Sequence, residues 1–123
     1  MVDTNHIRTI VKPWGMEMVL AENESYILKK IYIEPKCSLS VQHHNQKVET
    51  VWLKWGTGAY VDIFDKDLNV TESHLLEDGV FVTLEPGDIH SFRNDSEHMV
   101  VLFETSSYHP NDIVRHRDNY GRA

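Results

Sequence analysis

The feature that most limits what this chain can become is the short wavelength of its hydropathy. Apolar residues recur in brief β-rich runs, "EMVL", "YILKKIYI", "LSVQH", "ETVWLKW", "AYVDIF", "VTESHLL", "VFVTL", "HSFRN" and "HMVVLFETS", and no stretch sustains a helical period. Side chains two apart on a strand share a face, so each run can bury one face and wet the other. Turn residues separate the runs: "GTG" at 56–58, "DKDLN" at 65–69 and "EPGD" at 85–88. So many short strands predict an all-β sandwich or barrel. The tail "SYHPNDIVRHRDNYGRA" departs from the pattern. It is polar, Pro110 and Asn111 suit a helix start, and the expectation is a short helix or an ordered extension rather than a strand.

The chain has 123 residues, near the commonest size of a single domain. We expect one domain over 1–123, with 1–11 as a leader and 107–123 as the C-terminal extension. Twelve Lys and Arg against 19 Asp and Glu leave a formal charge of −7. That argues against a nucleic-acid or anionic-membrane surface, both of which need a basic footprint. The run "MVVLF" at 99–103 is too short to span a bilayer. Cys37 has no second cysteine to pair with, and the opening "MVDTNHIRTIVKPWG" lacks the apolar core of a signal peptide. A cytoplasmic location is expected.

The chemistry-bearing residues sit in phase with the strands. Ser40, Gln42 and His44 share one face, and Lys47, Glu49, Val51, Leu53 and Trp55 share another. If both faces line a barrel, Gln42, His44 and Glu49 converge on one point. "GVFVTLEPGDIHSFRN" then offers His90 after the Pro86-Gly87 turn, with Phe92 and Asn94 on the same face. Lys29 is in phase with Ile27, Ile31 and Ile33, so its amine either enters the barrel or snorkels to the rim. Ser40 either donates to a ligand oxygen or satisfies neighbouring backbone. His43, His74, His98 and His109 read as surface or core histidines, and Trp14, Trp52, Trp55 and Phe81 as core or dimer surface.

These residues resemble the two motifs of the cupin superfamily. Gln42-x-His44-x4-Glu49-x6-Gly56 follows the first, with Gln in place of its first His; Gly79, Gly87, His90 and Asn94 follow the second, with Pro86 displaced by one. The Gln variant is similar to phosphomannose isomerases, and the chain resembles the C-terminal cupin of the type II enzymes over Lys12 to Arg122. "KPWG", "YILKKIYIEP", "LSVQHH" and "NDIVRHRDNYGR" carry that likeness. Departures are Lys47 for the family's arginine, Thr50 for its histidine, Val51 for its tryptophan, and Pro35-Lys36 for its Pro-Gly turn. Many type II enzymes carry a nucleotidyltransferase domain ahead of this cupin; only a short leader precedes it here, so that activity is expected to be absent.

The resemblance implies a double-stranded β-helix, or jelly-roll barrel, holding a divalent metal through Gln42, His44, Glu49 and His90. Two imidazoles and two oxygens suit zinc first, with manganese, nickel, cobalt and iron as alternatives. The implied reaction is aldose–ketose isomerisation of a sugar phosphate, mannose 6-phosphate to fructose 6-phosphate, with Lys47, Lys29 and Arg115 as catalytic residues and Ser40, Lys47 and Arg115 binding substrate. Lysine at 47 keeps the arginine's charge but loses its planar fork. The competing readings are another metal-cupin chemistry, a dioxygenase or lyase, and a sugar-binding module without turnover. Open sheet edges and surface aromatics imply a homodimer.

Overall fold

The alternating runs all become strands, and two further strands join them from the ends of the chain. The computed structural model describes residues 2–4 and 6–122. The elements are β1 (Arg8–Lys12), β2 (Gly15–Glu22), β3 (Tyr26–Ile33), β4 (Val41–His43), β5 (Glu49–Trp55), β6 (Ala59–Phe64), β7 (Val70–Leu76), β8 (Phe81–Leu84), β9 (Ile89–Asn94), β10 (Val100–Ser107) and β11 (Val114–Arg117). They form a six-stranded sheet, β1-β2-β3-β10-β5-β8, facing a five-stranded one, β11-β4-β9-β6-β7. This is the expected double-stranded β-helix, with antiparallel pairing throughout.

Three expectations need correction. The tail is not helical: Val114 pairs with His43 and Arg115 with Gln42, because the open edge of β4 offers the tail's backbone a ladder. The supposed leader likewise contains β1, which turns at Pro13-Trp14 and lies along β2 from Arg8↔Val19 to Lys12↔Gly15. Gly15 is required there, since a Cβ would lie 1.9 Å from the Tyr32 carbonyl oxygen. Trp55 does not share the inward face of Glu49 and is 60% exposed. Between Val101↔Trp55 and Leu102↔Leu53 the pairing shifts and Lys54 is left over, a bulge that ends the alternation.

Inward residues are layered by chemistry. At one level Ile31, Leu102, Val61 and Phe92 make a dry core, with Trp14 packed against it. Further along the same strands the register sets Glu104 beside Lys29 and then, one level on, Ser106 beside Glu49, while Gln42 pairs with His90. The barrel is therefore apolar at one level and charged at the next. The apolar end is closed by Asn94, whose Nδ2 donates to the carbonyls of Ile33, Glu34 and His98 and whose Oδ1 accepts from Ser96. His90 and Asn94 share a face of β9 four residues apart, which places the two ends roughly 13 Å apart.

Candidate metal centre

The β-turn between β8 and β9 brings the two motifs together. Asp88 N–H donates to the Glu85 carbonyl at 3.1 Å, and Gly87, at φ 90°, supplies the left-handed position. Gly87 N–H then donates to the His44 carbonyl at 2.8 Å, which ties the end of β4 to the start of β9. His44, Glu49 and His90 are all buried, and one ligand atom from each lies within 4.8 Å of the others. Glu49 Oε1 is 3.2 Å from His44 Nε2 and 2.9 Å from His90 Nε2.

The tautomers follow from the outer partners. His90 Nδ1 donates to the Asp88 carbonyl at 2.8 Å, and His44 Nδ1 donates to the Asp112 carbonyl. A carbonyl oxygen can only accept, so each Nδ1 carries the proton and each Nε2 turns a lone pair to the centre. Although Glu49 Oε1 and His90 Nε2 are close, their approach lacks hydrogen-bond geometry, and both atoms are buried with no hydrogen-bond partner. Burial opposes ionisation of Glu49, and the charge of Lys47 favours it. Two imidazole lone pairs and a carboxylate converging without hydrogens between them are a donor set suited to a divalent cation. Gln42 adjoins the set: its Nε2 is 3.5 Å from His44 Nε2, while its Oε1 accepts from Ser40 Oγ at 2.6 Å. Turning the amide over aims Oε1 at the centre and lets Nε2 donate to Ser40 instead.

A cavity of about 140 Å³ opens beside the centre, and Lys29, Ser40, Gln42, His44, Lys47, Glu49 and Arg115 all line it. Of the metal set from the sequence, Gln42, His44 and Glu49 line it and His90 does not. Lys29 enters the barrel rather than snorkelling, with Nζ 3.5 Å from Glu17 Oε2. Lys47 is buried. Sequence reasoning passed over four charged groups in the same wall: Lys12, Glu17, Glu104 and Asp112. The phase of Leu102, Glu104 and Ser106 on β10 is the signal for Glu104; Asp112 lay in the segment read as an extension, and Lys12 was named only within the "KPWG" likeness. Arg122, also in the wall, is held by a bidentate pair to Asp118 at 2.9 Å on each arm. His43 is turned away and meets His116 at 2.7 Å, and His74 pairs with Glu72. Among the described residues, the group of three or more potential metal ligands is His44, Glu49 and His90.

Comparison with known proteins bears on this site. The sequence profile described as mannose-6-phosphate isomerase C-terminal matches residues 2–118. Mannose-1-phosphate guanylyltransferase ManC of Salmonella typhimurium is 30% identical over 94% of this chain and 23% of its own length. Xanthan biosynthesis protein XanB of Xanthomonas campestris is 29% identical over 94% of this chain and 24% of its own. The chain thus spans about a quarter of the length of these curated relatives. Among solved structures, the capsular polysaccharide assembling protein CapF of Staphylococcus aureus superposes with a TM-score of 0.79 at 12% identity, over 93% of this chain and 33% of that one. A cupin-2 domain from Rhodospirillum rubrum gives 0.73 at 11% identity, over 89% and 75%. At such identities these two establish the fold alone. No helix among the described residues is long and apolar enough to cross a membrane.

Proposed function

The chain belongs to the mannose-6-phosphate isomerase C-terminal family, a cupin, and from that premise we propose that it is a metal-dependent aldose–ketose isomerase acting on a sugar phosphate. The observation that carries this is the pair of imidazole lone pairs aimed at the buried Glu49 carboxylate, beside a cavity lined by Lys29, Lys47 and Arg115. Gln42, His44, Glu49 and His90 would hold the ion, zinc first among the divalent candidates. The chemistry such an ion supplies is polarisation of a carbonyl and its neighbouring hydroxyl. The chain's own residues do the rest. Lys47 anchors a hydroxyl or phosphate oxygen; Arg115, with Ser40, orients the substrate; Lys29 presents a charged amine from the barrel floor. Local cations offset the global charge of −7 for an anionic ligand. The relatives' names, mannose-1-phosphate guanylyltransferase among them, favour mannose phosphates as the first class to test.

A reading without turnover, as a sugar-phosphate binding domain, is favoured by one observation: Val51, where the resembling enzymes have tryptophan, is fully buried in the core and cannot reach a ligand. A self-association is also proposed. Met18, Lys30, Phe103, Trp52 and Phe81 lie in register across the outer face of the six-stranded sheet, and Phe81 is 63% exposed. The deciding experiment is elemental analysis of the purified protein, followed by a coupled assay on a panel of hexose and pentose phosphates with each candidate metal. Metal-dependent interconversion of mannose 6-phosphate and fructose 6-phosphate is expected. Tight binding of the panel without turnover would favour the binding domain, and oxygen uptake with iron would overturn both.

A further inference from the structure

The loop between β4 and β5 does not satisfy its own backbone. Its N–H groups at 45, 46 and 47 all point the same way, a concave arrangement of consecutive donors that attracts an anion. The anion is supplied by the chain, from far away in sequence. Asp112 Oδ1 accepts from Asn45 N–H at 2.9 Å, and Oδ2 accepts from Gln46 N–H at 2.7 Å and Lys47 N–H at 2.9 Å. The same residue's carbonyl accepts from His44 Nδ1. One residue of the tail therefore grips the loop by its side chain and the histidine by its backbone.

We propose that Asp112 is the positioning residue of the candidate metal centre: its carboxylate fixes residues 45–47, and its carbonyl holds His44 in the tautomer that turns Nε2 toward Glu49 and His90. The inference rests on the reading of His44 as a ligand only for its effect on metal affinity. The effect on the imidazole stands by itself. Two further observations support the assignment. The loop ends at Lys47, whose side chain lines the cavity, so the carboxylate sets the root of a proposed substrate anchor as well as a ligand. Asp112 also sits in a tight turn, with its own N–H donating to the His109 carbonyl at 3.2 Å and Ile113 N–H to Asn111 at 3.1 Å, and the ladder to β4 begins two residues later. Its place is thus held from both sides. Those backbone bonds, Asn45 first, keep the carboxyl ionised down to about 2, so the grip does not change across neutral pH.

Asparagine at this position retains one acceptor oxygen and turns an amide NH₂ toward backbone donors; alanine retains none. The test uses the full chain as Asp112→Asn and Asp112→Ala, with ring-¹⁵N-labelled histidine and with cobalt(II) as the probe metal. In the metal-free wild type, His44 should show the Nδ1–H tautomer; both variants keep the residue-112 carbonyl but lose the carboxylate grip on residues 45–47 that sets His44 against it, so His44 should become a mixture while His90, held by Asp88, is unchanged. Cobalt affinity should fall by about 10–100-fold, the usual cost of losing a partner behind a metal ligand. Folded variants that retain the wild-type His44 tautomer would overturn the proposal. So would loss of folding in both, which would make Asp112 a support of the fold rather than of the centre. If cobalt does not bind the wild type but the tautomer still shifts, the metal reading fails and the positioning of His44 by Asp112 stands.

Discussion

Replacing Glu104 by Gln should remove most of the dependence of this protein's stability on pH. Glu104 lies on β10 between Lys29 of β3 and Val51 of β5, buried in the charged layer of the barrel. Burial first, and then the Glu49 carboxylate, push its carboxyl from 4.5 up to about 8, against the pull of the Lys29 and Lys47 amines. The folded state therefore keeps a proton that the unfolded chain releases near 4.5. The penalty is absent below 4.5, grows as pH rises from there to about 8, and is complete above it. At roughly 1.36 kcal/mol for each tenfold difference in proton affinity, it reaches on the order of 5 kcal/mol, comparable to the whole stability of many domains. Glutamine has the shape of the neutral acid and no proton to lose. In urea titrations of metal-free protein, Glu104→Gln and wild type should nearly coincide near pH 5. By about pH 9 the variant's midpoint should be higher by on the order of 2 M, given an m-value of about 1–3 kcal/mol/M. A cation at Glu49 weakens the Glu49 contribution, so metal loading should shrink the wild-type slope. Parallel curves for the two proteins across that range would refute the reasoning.

Three other outcomes are expected. His44→Ala combined with His90→Ala should remove bound metal altogether, and unchanged stoichiometric metal by elemental analysis would rule out the assigned centre. Lys47→Arg should keep activity, and Lys47→Met should weaken substrate binding, if lysine acts as an anchor; intact binding with turnover down about a hundredfold or more in Lys47→Arg would make it the base instead. Phe81→Glu should shift any dimer to monomer in sedimentation velocity without changing the thermal midpoint by more than a few degrees, since the side chain is 63% exposed. A dimer that survives the substitution would locate the contact elsewhere.

What was legible in the sequence is what period and punctuation encode. β3, β5, β6 and β7 begin and end where their runs do: β3, β5 and β6 combine buried positions with polar or glycine-containing turns, while β7, exposed as far as Leu76, is held by its ladder to β6. β1 and β11 were not legible. Both are edge strands, and β11 reads Val-Arg-His-Arg, so their pairing comes from a neighbour's open backbone rather than from their own apolar face. Trp55 shows the same limit within a strand: one surplus residue, Lys54, undoes the parity that sequence counting assumes. At the candidate site, Gln42, His44, Glu49 and His90 stand in a spacing that can be counted. Glu104 could have been found from its phase with Leu102. Asp112 could not, since its reach to His44 runs through a carbonyl that every residue possesses.

The bond from His44 to the Asp112 carbonyl spans 68 residues, and that separation has a meaning during synthesis. Translation proceeds at about 5–20 residues per second, so roughly 3–14 s pass between the appearance of the histidine and that of its partner. Over that interval the nascent chain holds β4 and its loop amides without the group that orients them. Glu49 arrives almost at once, and His90 about two-thirds of the way through. The order in which the ribosome delivers these residues therefore makes the tail the last part of the site, and an ion captured earlier would meet an imidazole still free to choose its tautomer.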